Sequence, residues 1–188
     1  MVKLTRIYTR TGDAGTTGLV DGSRVAKDAA VVQAMGDVDE ANSALGVAIV
    51  AVGDDPAAAT LLTIQNDLFD VGADLATPPS IEGALRIVPE QVVRLEAAID
   101  RVNDPLSPLT SFVLPGGTGA AASLHLARAI VRRAERSAVT AAQAVAINPH
   151  LLAYLNRLSD FLFVLARSMN QKAGGDVLWV PGGQRPIP

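Results

Sequence analysis

The chain has 188 residues and no cysteine. That length suits one domain with a core of its own, and the missing thiols exclude disulfides, zinc–thiolate sites, iron–sulfur clusters and a cysteine nucleophile. Apolar residues make up 49% and aromatics only 4%, a composition for helices packed closely on helices, while a net charge of −3 argues against a nucleic-acid binder.

The opening, MVKLTRIYTRTGD, lacks the apolar stretch of a secretory signal, and no run of about 18 uncharged apolar residues exists. The expectation is a cytoplasmic protein that does not enter a membrane. Residues 1–27 carry Lys3, Arg6, Arg10, Arg24 and Lys27 against Asp13 and Asp21, a local charge of +3, whereas the rest of the chain sums to −6. A basic, glycine- and threonine-rich head on an acidic body suits contact with an anion. A disordered basic tail has the same composition.

Residues 5–22 show neither helical nor strand period and read as a loop, with a short extended piece at Arg6 to Thr9. From Lys27 to Val52, Val31, Met35, Val38, Ala41, Leu45 and Ala48 recur at spacings of three and four, which predicts the first helix. Asp55 then offers an N-cap with Pro56 at the first helical position. The second helix runs to about Thr77 on a seam of Leu61, Ile64, Leu68, Val71 and Leu75, and residues 78–88 read as a surface loop. Pro89 opens a third helix with Val92, Leu95, Ile99 and Val102 on one face.

Residues 105–119 form a proline- and glycine-rich connection with an apolar centre, Phe112-Val113-Leu114. A fourth helix is predicted over about Thr118 to Val145. Asn148-Pro149 repeats the cap-plus-proline signal for a fifth, which runs to about Lys172 on Leu151, Leu155, Leu158, Leu162, Leu165 and Met169. The tail after Gly174-Gly175 reads as irregular. Five helices, short joins and no strand pair predict an all-α bundle in one domain: a 1–27 head, a 28–174 bundle and a 175–188 tail.

The fourth helix is the most informative. Arg128, Arg132, Glu135 and Arg136 share one face, with Arg133 beside it. Guanidinium groups grip phosphate oxygens bidentately and keep their charge, so the stripe fits a polyphosphate clamp. A solvated face or a ladder of salt bridges between subunits has the same pattern. The fifth helix offers Asn156, Asp160 and Arg167, with Arg157 pointing to another side. The first helix offers Asp37, Asp39, Glu40 and Asn42, which fit Mg²⁺, partner arginines or plain solvation. The head segment TRTGDAGTTG can cradle phosphate with backbone N–H groups, but it has neither the P-loop spacing nor the strand–helix context of a dinucleotide site. His125 and His150 are the only histidines. The first reads as structural, the second as part of a helix start. No nucleophile or general base stands out, so in an enzyme the reactive power would come from the substrate or a cofactor.

Four segments in series carry a family resemblance: IYTRTGDAGTTGL (7–19), AMGDVDEANSALG (34–46), FVLPGGTGAAASLHLARAIVRRAER (112–136) and YLNRLSDFLFVLAR (154–167). Together they resemble the ATP:cob(I)alamin adenosyltransferases of the propanediol-utilisation type. The resemblance implies a five-helix bundle with a four-helix core in ferritin-like up-down packing, assembled as a homotrimer with active sites between subunits. It implies transfer of the 5′-deoxyadenosyl group of ATP to cob(I)alamin, with release of triphosphate and with Mg²⁺ accompanying the nucleotide. By position it implies that Thr9, Arg10, Thr11, Gly12, Thr17, Gly18 and Lys27 fold over ATP. Arg132, Arg133, Glu135 and Arg136 then form the clamp, and Asn156 lies near the phosphates and metal. Asp39 and Arg128 would pair between neighbouring subunits. Phe112 would fill the space beneath the corrin, exclude the lower axial ligand and ease reduction of cobalt(II). The resemblance also implies a reductase and an adenosylcobalamin-dependent client enzyme as partners. Departures from the family pattern are Arg10 for lysine, Ala41 for leucine and Phe161 for tyrosine. A cofactor carrier without turnover and a purely structural trimer are the competing readings.

Overall fold

Residues spaced three and four apart along this chain do fold as helices, and their apolar faces meet in one core. The structure, a computed structural model, describes residues 7–182. Its helices are α1 (Ala30–Val52), α2 (Ala57–Ala76), α3 (Pro89–Asn103), α4 (Gly119–Ala141) and α5 (Pro149–Gln171). The seams expected on α2 and α5 are buried throughout. On α3 the face is shallower, with Leu95 and Ala98 buried and Val92, Ile99 and Val102 half-buried. Alanines lie fully buried where the most extensive helix pair, α1 and α4, packs: Ala34, Ala41 and Ala48 on one helix, Ala127, Ala134 and Ala138 on the other.

Local signals set the helix ends. The Asp55 carboxylate accepts from the Ala57 N–H at 3.0 Å, Thr118 Oγ1 accepts from the Ala121 N–H at 3.1 Å, and Asn148 Oδ1 accepts from the His150 N–H at 3.0 Å. At α3 the Gln91 side chain accepts from the Val88 N–H at 3.0 Å, the half of a capping box that an apolar cap residue permits. Helix α1 starts three residues later than expected because the Lys27 N–H donates to Gly15 O at 2.9 Å instead of beginning a helical turn. Helix α4 ends four residues early. The chain turns at residues 142–147 so that Asn148 can reach Asp74 Oδ2 (2.7 Å) and Ile87 O (2.8 Å).

Two expectations are corrected. The head is not all loop: β1 (Thr16–Gly18) and β2 (Arg24–Ala26) form an antiparallel hairpin, the one sheet among the described residues. The piece expected at Arg6 to Thr9 begins on a residue outside the described range, and its described part is not a strand. The described part of the tail, otherwise irregular, makes one pairing that was not expected. Val113 pairs with Leu178 in an isolated antiparallel bridge, so residues 177–179 run beside 112–114.

Side-chain contacts give the helix directions. Ser137 of α4 donates to Asp37 of α1 and Arg133, one turn earlier, pairs with Glu40, nearly one turn later, and Asn156 of α5 donates to Glu135 of α4. At the other end Asn170 of α5 accepts from the Thr118 N–H. Helix α4 is thus antiparallel to both neighbours. The hairpin contacts the C-terminal end of α2 through Val20 N–H to Ala76 O at 3.1 Å. The C-terminal half of α4 therefore shares the head's end of the bundle, while the Phe112 loop lies at the opposite end.

A candidate nucleotide groove on helix α4

The outer face of α4 and α5 holds a groove of about 440 Å³ lined by Arg132, Glu135, Arg136, Val139, Thr140 and Asn156. Helical spacing puts the α4 residues there. The Arg136 guanidinium donates to Arg132 O at 3.0 Å, and Thr140 Oγ1 donates to Arg136 O at 3.1 Å. Asn156 closes the α5 side, its amide donating to Glu135 Oε1 at 2.9 Å. Arg157 lies outside the groove, on the α3 side, yet still touches it. It donates to Asn156 Oδ1 at 2.5 Å and pairs with Glu96 of α3 at 2.9 Å, so it fixes the asparagine from behind. Among the described residues neither Arg132 nor Arg136 has an ion-pair partner. Two guanidinium groups thus face open space where phosphate oxygens could satisfy them.

Arg133 is placed elsewhere. It pairs with Glu40, and with Asp37 at 3.7 Å, both on α1. The Glu40 hydrogen bond and the two nearby carboxylates hold its charge more firmly than usual. Asp37 itself is buried and accepts from Gln33 Nε2 at 3.0 Å as well as from Ser137. The arginine expected in the clamp therefore ties α4 to α1. The acidic cluster of the first helix finds its partner here, and no group of three or more metal-ligating side chains occurs among the described residues.

Arg128 lies further toward the N-terminus of α4, half-buried, its guanidinium 6.0 Å from the centre of the Phe163 ring. Burial, then the charge of Arg132, weakens its hold on a proton relative to an ordinary arginine. Beside it His125 is buried with both ring nitrogens unpartnered. Burial and then Arg128 hold its pKa below the usual histidine value. Asp39 does not meet Arg128 within the chain. It is exposed at a second groove of about 280 Å³ between α1 and α2, with Met35, Val38, Asn42 and Phe69. Apolar side chains around these faces stand in solvent, notably Val50 at 82% and Phe69 at 73% exposure, with Leu126 on α4.

The head is drawn together by Arg24, which the sequence marks only as part of the head's positive charge. Arg24 donates to Thr11 O (2.8 Å), Thr16 O (3.0 Å) and Thr16 Oγ1 (2.7 Å), which folds the threonine-rich loop back on the hairpin. Thr17 and Gly18 lie in β1. Thr9 and Thr11 share a hydroxyl hydrogen bond of 2.8 Å. Gly12 leaves room for Lys27, whose Cε and Nζ would lie 3.2 Å from a Cβ at that position. Arg10 alone among the described non-glycine residues has a positive φ, 62°, and its guanidinium lies 5.6 Å from the Tyr8 ring centre. That conformation is costly for a residue with a Cβ and is concentrated at functional loops.

Phe112 stands 74% exposed at the far end of α4. By helical rise, about 20 Å separates Gly119 from Arg132. Arg128 and Phe163 occupy the interval.

Residues 7–169 match the family described as cobalamin adenosyltransferase. The corrinoid adenosyltransferase of Mycobacterium tuberculosis strain H37Rv is 54% identical over 194 residues, covering 98% of this chain and 97% of that protein. The one from Bacillus subtilis strain 168 is 44% identical over 177 residues, with 92% and 91% covered. Among solved structures, a variant of the PduO-type ATP:corrinoid adenosyltransferase from Lactobacillus reuteri, complexed with cobalamin and ATP, superposes with a TM-score of 0.88 at 38% identity, covering 93% of this chain and 99% of that one.

Proposed function

The chain belongs to the cobalamin adenosyltransferase family, and from that premise we propose how its own residues serve the transfer of an adenosyl group from ATP to a corrinoid. The single observation that carries the reading is the contrast along α4. Arg133 is neutralised by α1, whereas Arg132 and Arg136 face an open groove without carboxylate partners. Those two guanidiniums bind the triphosphate, and the glycine-rich head, Thr9 to Gly18 with Lys27, covers the nucleotide from the same end of the bundle.

The reaction needs no protein nucleophile. Reduced cobalt attacks the 5′ carbon of the sugar; a cobalt–carbon bond forms as the carbon–oxygen bond to the phosphate chain breaks, and the electron pair leaves on triphosphate. Charge builds on that leaving oxygen, so fixed cations at the phosphates stabilise the transition state more than the bound nucleotide. The chain's other contribution is to hold the two reactants in line. The interval between Phe112 and Arg132 accommodates this arrangement, with the corrin over Phe112 and Phe163 and the phosphates at Arg132 and Arg136. Phe112 occupies the corrin's lower face and keeps an axial ligand off cobalt(II).

Mg²⁺ comes with the nucleotide. The groove offers one carboxylate, Glu135, and the Asn156 oxygen already accepts from Arg157. That donor set does not make a protein-built cage. Asp39 and Arg128, apart within the chain, pair between copies. The exposed apolar faces of α1, α2 and α4 favour such an assembly, and the homotrimer is the form we assign. A reductase and a client enzyme that consumes the product complete the proposed partners.

The test is transfer itself. With ATP, Mg²⁺ and chemically reduced corrinoid, the intact protein converts the corrin spectrum to the alkylated form and releases triphosphate in equal amount. Binding of ATP without triphosphate release would instead make the chain a carrier.

A further inference from the structure

Phe112 sits in a proline- and glycine-rich loop, where an isolated ring would sample several rotamers. It is not isolated. The Trp179 N–H donates to Phe112 O at 2.7 Å and the Leu114 N–H donates to Val177 O at 2.8 Å. With Val113 opposite Leu178, this makes Phe112 and Trp179 direct cross-strand neighbours. Ser111 Oγ adds a bond to Trp179 O at 2.7 Å. The rings meet edge to face, centroids 5.9 Å apart and planes at 63°. Both segments are anchored by one residue of α5: the buried Arg167 pairs with Asp176 at 2.9 Å, just before Val177, and donates to Ser107 O at 2.7 Å, near the start of the 105–119 connection.

We infer that Trp179 is a positioning residue for Phe112: the C-terminal segment returns to the loop so that the indole edge fixes the phenyl ring at the corrin-facing end of the bundle. The inference rests on the reading of Phe112 given above. It assigns work to a segment outside the matched residues 7–169. Edge-to-face pairs favour one ring orientation, and losing one is worth about two- to tenfold in the population of that orientation. The main-chain hydrogen bonds and the Arg167 anchor do not involve the indole, so removing the ring leaves the segment in place.

The experiment compares transfer started from cobalt(II) corrinoid plus reductant with transfer started from chemically supplied cobalt(I). Trp179→Ala loses about two- to tenfold in kcat in the first assay and stays near wild type in the second, with KM for ATP unchanged in both. Trp179→Phe restores the edge contact and the rate. Trp179 is the sole tryptophan, so its emission reports on the contact without turnover and shifts in Phe112→Ala. Equal loss in both assays, no loss in either, no rescue by phenylalanine, or emission indifferent to Phe112→Ala each overturns the inference. Phe112→Ala run in parallel separates the two levels. If it is selective for cobalt(II) and Trp179→Ala is not, only the inference falls. If Phe112→Ala loses equally in both assays, the role of Phe112 falls and the inference with it.

Discussion

Gly117 is the hinge between the Phe112 loop and α4, and replacing it by alanine should be among the most damaging single-methyl additions in the chain. Its φ is 101°, in the left-handed half of the map. An added Cβ would lie 2.2 Å from Asn170 Oδ1 and 2.6 Å from Cγ. Asn170 is 1% exposed. It accepts from the Thr118 N–H at 3.0 Å and donates to Gly116 O at 3.1 Å, so it cannot swing away without leaving buried groups unpaired. The backbone conformation costs about 1–3 kcal/mol for a residue with a side chain, and an orphaned buried partner costs about 1–3 kcal/mol more. Gly117→Ala should therefore lose about 2–6 kcal/mol. For a chain of this size that lowers Tm by roughly 4–24 °C. Urea unfolding measures it, with an unchanged m-value showing that stability alone has moved. Asn170→Ala in the same background should cost less than it does alone, because the same bonds are already broken. A loss under about 1 kcal/mol for Gly117→Ala would refute the reasoning.

The two arginine roles separate in one comparison: Arg132→Ala should lower kcat/KM at least tenfold with unfolding unchanged, whereas Arg133→Ala should leave ATP affinity near wild type; triphosphate-release kinetics decide it. Asp74 is buried and takes bonds from Arg86 (2.8 Å), the Ile87 N–H (2.9 Å) and Asn148 (2.7 Å). Asp74→Ala strands the partners and should cost about 3–5 kcal/mol in urea unfolding. His125 sets an acid limit. Its folded pKa is depressed, so below the unfolded value of about 6.5 the unfolded chain binds a proton that the folded chain refuses. Stability should fall as pH drops from about 6.5 toward the depressed value, by up to about 1.4 kcal/mol per unit, and His125→Phe should flatten that slope.

Much of the helical framework was legible because helices announce themselves locally. Seam residues such as Leu61 to Leu75 recur at one period, and Asp55-Pro56 and Asn148-Pro149 mark their starts within two residues. The hairpin escaped because three-residue strands such as Thr16–Gly18 are too short to show alternation. The bridge from Val113 to Leu178 escaped because its halves lie more than sixty residues apart, and no local pattern encodes so distant a pairing. At the site, a helical wheel correctly grouped Arg132, Glu135 and Arg136. It could not say which helix covers the flank, so the capture of Arg133 by Asp37 and Glu40 was invisible until α1 lay beside α4. The tie of Arg157 to Glu96 was invisible for the same reason, since α3 and α5 are neighbours in space but not in sequence.

The alanines buried between α1 and α4 have a mechanical consequence. A methyl group has no rotamer to change, so that contact can neither relax around a neighbour nor slide by reshuffling side chains. The paired helices act as a stiff keel. Whatever adjusts as reactants arrive and product departs must belong to the pieces hung on that keel, the amino-terminal hairpin at one extremity and the aromatic loop with its returning segment at the other.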